Sequence, residues 1–156
     1  MSGPRVDLAR AQRGAITWVT LLFVTVLVIS GYLAWVWVPI YYENYAVKQV
    51  VRDYMNQAIK NPHDDNLRQM MVAKIRSLSQ VDGVDQYGRP ARVPAIALEE
   101  RDVTWQRDKS AQPPMLRVSF AYLREVDLPI VERTTSKVFT IELENDLTVP
   151  DWGPAR

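Results

Sequence analysis

The sequence contains no cysteine and only one histidine, His63, among its 156 residues. A disulfide framework and a thiolate nucleophile are therefore excluded, and the usual nucleophile–base pairs have almost no members. The formal net charge is +1, so the chain has no basic excess of the kind that binds nucleic acid. It also has no phosphate-binding glycine loop and no nucleophile elbow. We predict a protein that is not an enzyme, with no cofactor and no nucleic-acid partner.

Three acidic stretches are the remaining candidates for chemistry. Residues 63–65 (His-Asp-Asp) are interpreted as a capped helix start, because adjacent residues rarely converge on one metal ion. Residues 82–88 lack the alternating oxygen ligands of a calcium loop and are interpreted as a turn. Glu99, Glu100 and Asp102 are placed on a solvated strand, with Glu99 on the opposite face from the other two. The sequence predicts no catalytic residue and no metal ligand.

The most informative feature is a run of 24 residues without charge, from Ala15 to Val38. As a helix it would be about 36 Å long, enough to cross a hydrocarbon core of about 30 Å. A domain of this size has no room to bury such a helix on all sides. The run is too long, and its end too bulky, for a cleavable secretory signal. We predict a signal-anchor that forms a transmembrane helix over residues 15–40.

The charges on either side of this run predict its orientation. Three of the 19 basic residues and one of the 18 acidic residues precede residue 41, which leaves a net charge of −1 after it. The positive-inside rule therefore places residues 1–14 in the cytoplasm and residues 41–148 outside it, followed by a tail at 149–156. In a Gram-negative bacterium this describes a single-pass inner-membrane protein with a periplasmic domain.

Two further groups of residues suit a membrane helix. Large aromatic residues at its outer end are predicted to form an interfacial belt, with their polar tips at the lipid headgroups. A pair of small residues spaced by four, with a glycine beside them, is predicted to form a helix-packing face. The belt residues are Trp35, Trp37, Tyr41, Tyr42 and Tyr45, and the small residues are Ser30, Gly31 and Ala34. The lipid bilayer and other membrane or envelope proteins are the expected partners; the oligomeric state is left open.

Beyond the membrane, an apolar stripe with helical spacing continues from Tyr42 to Ile59. Proline kinks a membrane helix without ending it, so Pro39 is compatible with a continuous helix. We therefore predict one kinked helix of about 45 residues. A second helix is predicted to start at Asp64 or Asp65, either of which can cap it.

The last third of the chain changes to an alternating pattern. Leu116–Tyr122 and Val138–Glu144 each place apolar residues on one face, and Leu98–Gln106 is a weaker strand with Val103 and Trp105 as core residues. Before these, Gly83, Gly88, Pro90 and Pro94 predict a loop. We therefore predict an α+β fold: a long N-terminal helix, a short second helix, and a three-stranded antiparallel sheet covered on one face.

Residues Gln12–Val19 resemble the N-terminal junction of type IV pilins, which combine a basic leader, a glycine and an apolar helix. The resemblance places prepilin-peptidase processing between Gly14 and Ala15. Two positions depart from the pattern. Ala15 stands where pilins have phenylalanine, and Val19 stands where they have the glutamate that sets register during assembly.

Val38–Arg52, followed by a late sheet that includes Leu116–Ile130, is similar to a family of small bacterial inner-membrane proteins with a domain of unknown function. The resemblance implies a single-pass anchor with an extracytoplasmic α+β domain, and it implies no substrate. The leading expectation is a non-enzymatic, membrane-anchored interaction or scaffold protein, such as a subunit of an envelope assembly. The alternatives are a pilin-like minor subunit processed after Gly14, and an anchored periplasmic module that binds a ligand or peptide.

Overall fold

The structure is a computed structural model that describes residues 18–85, 87–130 and 132–151. Gly14 and Ala15, the predicted processing site, lie outside these residues. The chain divides into two compact units, with the boundary between Trp35 and Val36. The predicted α+β class is confirmed, and the order of a long helix followed by antiparallel strands matches the pilin-like layout in outline.

A single long helix, α1, spans Trp18–Ala58 and includes Pro39. The prediction of one helix extending well past the apolar run is therefore confirmed. Its second part carries a buried stripe at helical spacing, which forms one side of the core of the second unit. The stripe consists of Val36, Ile40, Val47, Val50, Val51, Met55 and Ala58.

Helix α2 spans Asp64–Leu78, and here the predicted cap is wrong. His63 occupies the N-cap position, and its side chain makes no capping hydrogen bond to the described residues. Asp64 and Asp65 lie in the first turn, where their charge suits the helix dipole. Asp64 is the first residue of the helix and so does not stand at the cap position, and its carboxylate binds Arg107.

The loop predicted around residues 83–94 is also wrong, because this segment is a β-hairpin. Strand β1 (Gln80–Val84) pairs antiparallel with β2 (Pro90–Pro94). The two prolines stand at the ends of β2, opposite Gln80 and Val84, where a missing N–H does least harm to the ladder. The Asp85 carboxylate closes the turn by accepting hydrogen bonds from the backbone N–H groups of Tyr87 and Arg89. These bonds, led by that from Arg89, lower the pKa of Asp85.

A second sheet has the strand order β3-β4-β5 and is antiparallel throughout. Its strands are β3 (Thr104–Asp108), β4 (Met115–Leu128) and β5 (Arg133–Asp146). The predicted three-stranded sheet is confirmed, although β4 and β5 form a hairpin much longer than the alternating pattern indicated. The predicted apolar face of β4 is buried, and in β5 Phe139 and Ile141 are buried as well.

The predicted strand over Leu98–Gln106 begins too early. Residues Glu100–Asp102 form a 3₁₀ turn, and β3 starts only at Thr104. The backbone N–H of Glu99 donates to the Asp102 carboxylate at 3.1 Å, so the acidic cluster caps this turn and does not alternate across a strand. Val103 is buried as predicted, whereas Trp105 is only partly buried.

Candidate membrane anchor and interfacial surface

The described part of the first unit, residues 18–35, is an apolar helical segment whose side chains are almost all exposed. In the most apolar 18-residue window of α1, only 6% of the residues are buried. Phe23 and Leu27 are each more than 60% exposed. Exposing such an apolar surface to water costs much free energy, whereas exposing it to lipid does not. Among the described residues α1 is the one helix long and apolar enough to cross a membrane, which fits a single-pass membrane protein.

The predicted belt residues cluster on α1 between positions 35 and 45, and most are open to the surroundings. Trp35, Tyr41, Tyr42 and Tyr45 are 41–73% exposed. Trp37 is partly buried, and its ring lies 6.2 Å from that of Tyr41. Exposed rings with polar tips on neighbouring turns are the arrangement that a lipid interface favours. Their contact with lipid remains a prediction.

The predicted helix-packing face is also accessible. Ser30, Gly31 and Ala34 are all exposed, and a Cβ atom added at Gly31 would meet nothing within 4 Å. Another helix backbone could therefore approach closely at this point. That a partner helix does so remains a prediction.

Near the belt, the second unit buries a polar cluster between α1 and the sheet. The Glu43 carboxylate accepts a hydrogen bond from Arg124 at 3.3 Å, and the two side chains are only 13% and 16% exposed. The other oxygen of Glu43 is buried and has no hydrogen-bond partner among the described residues. Next to the pair, the Tyr122 hydroxyl donates to Asn44 Oδ1 at 3.1 Å. Burial, followed by the Glu43 charge, raises the pKa of Tyr122, so the hydroxyl stays protonated and remains a donor.

Sequence reasoning missed this cluster, although one signal was available. Arg124 follows Leu116, Val118, Phe120 and Tyr122 in the same alternation, and therefore lies on the covered face of β4. A charged residue on such a face requires a partner of opposite charge. The pattern alone could not show that the partner is Glu43, which is 81 residues away.

A second polar network joins the other end of α1 to the last described residues. The Asn56 side chain donates to the backbone carbonyl of Asp151 at 2.8 Å and accepts from the Asp151 N–H at 3.0 Å. It also accepts from the Asn145 amide at 3.2 Å. Arg52 lies 3.5 Å from the Asp151 carboxylate. These contacts fix the chain after β5 against α1, and they have a structural role.

The described residues offer little for catalysis or metal binding. No group of three or more histidine, aspartate or glutamate side chains among them could hold a metal ion. His63 is exposed. A cleft of about 390 Å³ lies beside the last turns of α1 and is lined by both charged and apolar groups. Its lining residues are Asp53, Asn56, Gln57, Ile59, Lys60 and Pro150.

We compared the chain with protein-family models, with curated proteins and with solved structures, and none of them matches it. The two resemblances noted in the sequence therefore stay hypotheses, and the functional argument depends on the geometry described above.

Proposed function

We propose that this protein is a non-enzymatic, membrane-anchored interaction or scaffold protein, and a subunit of a cell-envelope assembly. One observation carries the proposal. The same helix, α1, supplies an exposed apolar segment of membrane-spanning length and the buried stripe of a folded unit. A helix of this kind holds its folded unit at a bilayer.

The distribution of polar groups supports a role without catalysis. The buried Glu43 carboxylate is engaged by Arg124, and the Asn56 amide is engaged by backbone and side-chain groups of the same unit. A catalytic site instead needs titratable groups that converge on a cleft with separated pKa values. These groups are used to hold α1 against the sheet.

Charge supports an orientation with the N-terminus in the cytoplasm, because Arg5, Arg10 and Arg13 precede the apolar segment. In this orientation the second unit lies on the outer side of the inner membrane. The exposed face of Ser30, Gly31 and Ala34 then lies in the bilayer, where helices associate by close backbone packing. We propose that this face binds the transmembrane helix of a partner protein.

A pair of polyleucine replacements tests the packing face. Leucine at residues 30–34 removes the small side chains, whereas leucine at residues 18–29 keeps them and serves as the matched control. Both replacements stop before Val36, which is buried in the second unit. We expect the first variant to lose most of the membrane partner recovered after crosslinking and mild detergent extraction, because contacts of about 1–2 kcal/mol correspond to a roughly five- to thirtyfold change in affinity. The control should keep it.

Equal recovery of the partner with both variants would contradict a contact through this face. The interaction would then belong to the second unit. The cleft beside Asn56 would be its first candidate surface, as the alternative of an anchored ligand- or peptide-binding module requires.

A further inference from the structure

The long β4–β5 hairpin runs beside α1 in the opposite direction, and two contacts fix this alignment. Asn56 binds Asn145, which is paired with Leu116, while Asn44 binds Tyr122. Asn44 and Asn56 are twelve residues apart, about 18 Å of helix. Leu116 and Tyr122 are six residues apart, about 20 Å of strand. Equal lengths of α1 and β4 therefore lie side by side between these two contacts.

The same alignment places the turn of the hairpin at the end of the unit where α1 enters it. Val126 lies four residues beyond Tyr122, which is about 13 Å along the strand. The same distance along α1 is about nine residues, counted from Asn44 toward the N-terminus. This is the level of Val36, and Val36 and Val126 are both buried. β4 continues past this level to Leu128 before the turn begins.

This end of the second unit carries several exposed apolar side chains. Ile130, in the turn, is 74% exposed. Leu123 and Val138 are cross-strand partners on the open face of the hairpin, and they are 48% and 59% exposed. On α1, Val38 and Tyr42 are 62% and 73% exposed. The exposed apolar groups of the hairpin thus lie at the same end as the interfacial aromatic residues.

We propose that the β4–β5 turn is a second membrane contact, with Ile130 inserted at the boundary between lipid headgroups and acyl chains. The inference rests on the proposed anchor, because a helix that leaves the bilayer near Trp37 brings this end of the unit to the lipid surface. Insertion of such groups reaches about 5–10 Å into the interface. The turn and α1 then hold the unit at two points.

The charged residues near the turn balance one another, so the proposed contact with lipid depends on apolar side chains. Asp127 and Glu132 oppose Arg133 and Lys137, so the segment carries no net charge. The Asp127 carboxylate also accepts a hydrogen bond from Thr134 across the strands at 2.8 Å. The contact should therefore be as strong on zwitterionic lipid as on anionic lipid.

The absence of cysteine allows a direct test with single-cysteine variants of the full chain. Ile130→Cys reports on the turn, and Leu27→Cys reports on the apolar segment. Val149→Cys is the matched control, because Val149 is 63% exposed and lies two residues before Asp151, which binds Asn56 at the opposite end of the unit. Each variant is labelled with an environment-sensitive fluorophore and reconstituted into phosphatidylcholine vesicles, with or without phosphatidylglycerol. Nitroxide-labelled lipid then serves as the quencher.

We expect the label at Ile130→Cys to be quenched about threefold more than that at Val149→Cys, in both lipid mixtures, because only the former lies within the interface. Quenching at Leu27→Cys together with equal, weak quenching at the other two positions would overturn the membrane contact of the turn and leave the anchor intact. Quenching at Ile130→Cys only with phosphatidylglycerol would overturn the apolar contact. Absence of quenching at Leu27→Cys would overturn the anchor itself, and the inference with it.

Discussion

Replacing Arg124 by alanine should lower the free energy of unfolding of the second unit by about 3–5 kcal/mol, because it leaves a buried charge without its partner. Glu43 is 13% exposed, and within the described part of the chain one of its oxygens already lacks a hydrogen bond. Without Arg124 this buried carboxylate would lose the cation that it is paired with. Pulse proteolysis of the full chain in mild detergent and urea measures the loss.

Two controls separate this effect from the general loss of a surface charge. Arg117 lies on the same strand and pairs with Glu144 at 3.1 Å, but the side chains are 50% and 45% exposed. Arg117→Ala should therefore leave stability nearly unchanged. The double variant Glu43→Leu with Arg124→Met should recover most of the loss, since an apolar pair of similar volume avoids the buried charge. Equal effects of Arg124→Ala and Arg117→Ala would show that the Glu43 pair is not buried in solution.

Replacing Arg107 by alanine is expected to cost about 2–4 kcal/mol, because a single guanidinium satisfies several groups at once. It binds the Asp64 carboxylate through two nitrogens, with an Nε–Oδ2 distance of 2.9 Å. It also donates to the backbone carbonyls of Ala58 and Asn61 at 3.1 and 3.2 Å. The residue therefore connects β3 to the end of α1 and the start of α2.

The shape of the guanidinium should matter as well as its charge. Arg107→Lys keeps the charge but lacks the planar fork, so it should recover only part of the stability. Arg101→Ala is a suitable control, because Arg101 pairs with Glu99 at the surface, where its side chain is 79% exposed. Full recovery by lysine would mean that charge alone, without the carbonyl contacts, accounts for the role of Arg107. The same proteolysis measurement distinguishes these outcomes.

Elements with a strong period could be predicted from the sequence, and elements defined by distant partners could not. The apolar run and the stripe from Val47 to Ala58 predict α1, and the alternation in β4 predicts its buried face. The β1–β2 hairpin was missed because its glycines and prolines are typical of loops, although Pro90 and Pro94 stand where the ladder tolerates them.

The polar contacts show the same limit more clearly. In the sequence, Asp64 has the residue type of a helix cap and precedes an apolar helical pattern. Nothing in the neighbouring residues shows that its carboxylate binds Arg107, which is 43 residues later. Arg124 on an apolar face signals that a partner exists, but only the fold identifies Glu43. The candidate membrane site also has parts that the sequence predicts and a part that only the fold shows. The belt and the packing face follow from composition, whereas the apolar end of the hairpin depends on how β4 aligns with α1.

The most direct test of the proposed anchor and its orientation is cysteine accessibility in intact cells of a Gram-negative host, with a maleimide that enters the periplasm but does not cross the inner membrane. Ser2→Cys, Leu27→Cys and Val149→Cys report on the N-terminus, the apolar segment and the second unit. We predict that Val149→Cys reacts in intact cells and Ser2→Cys reacts only after the inner membrane is permeabilised. Leu27→Cys should react in neither case, because it lies in lipid. Ready modification of Leu27→Cys, or reaction of Ser2→Cys in intact cells, would contradict an anchored protein with a cytoplasmic N-terminus.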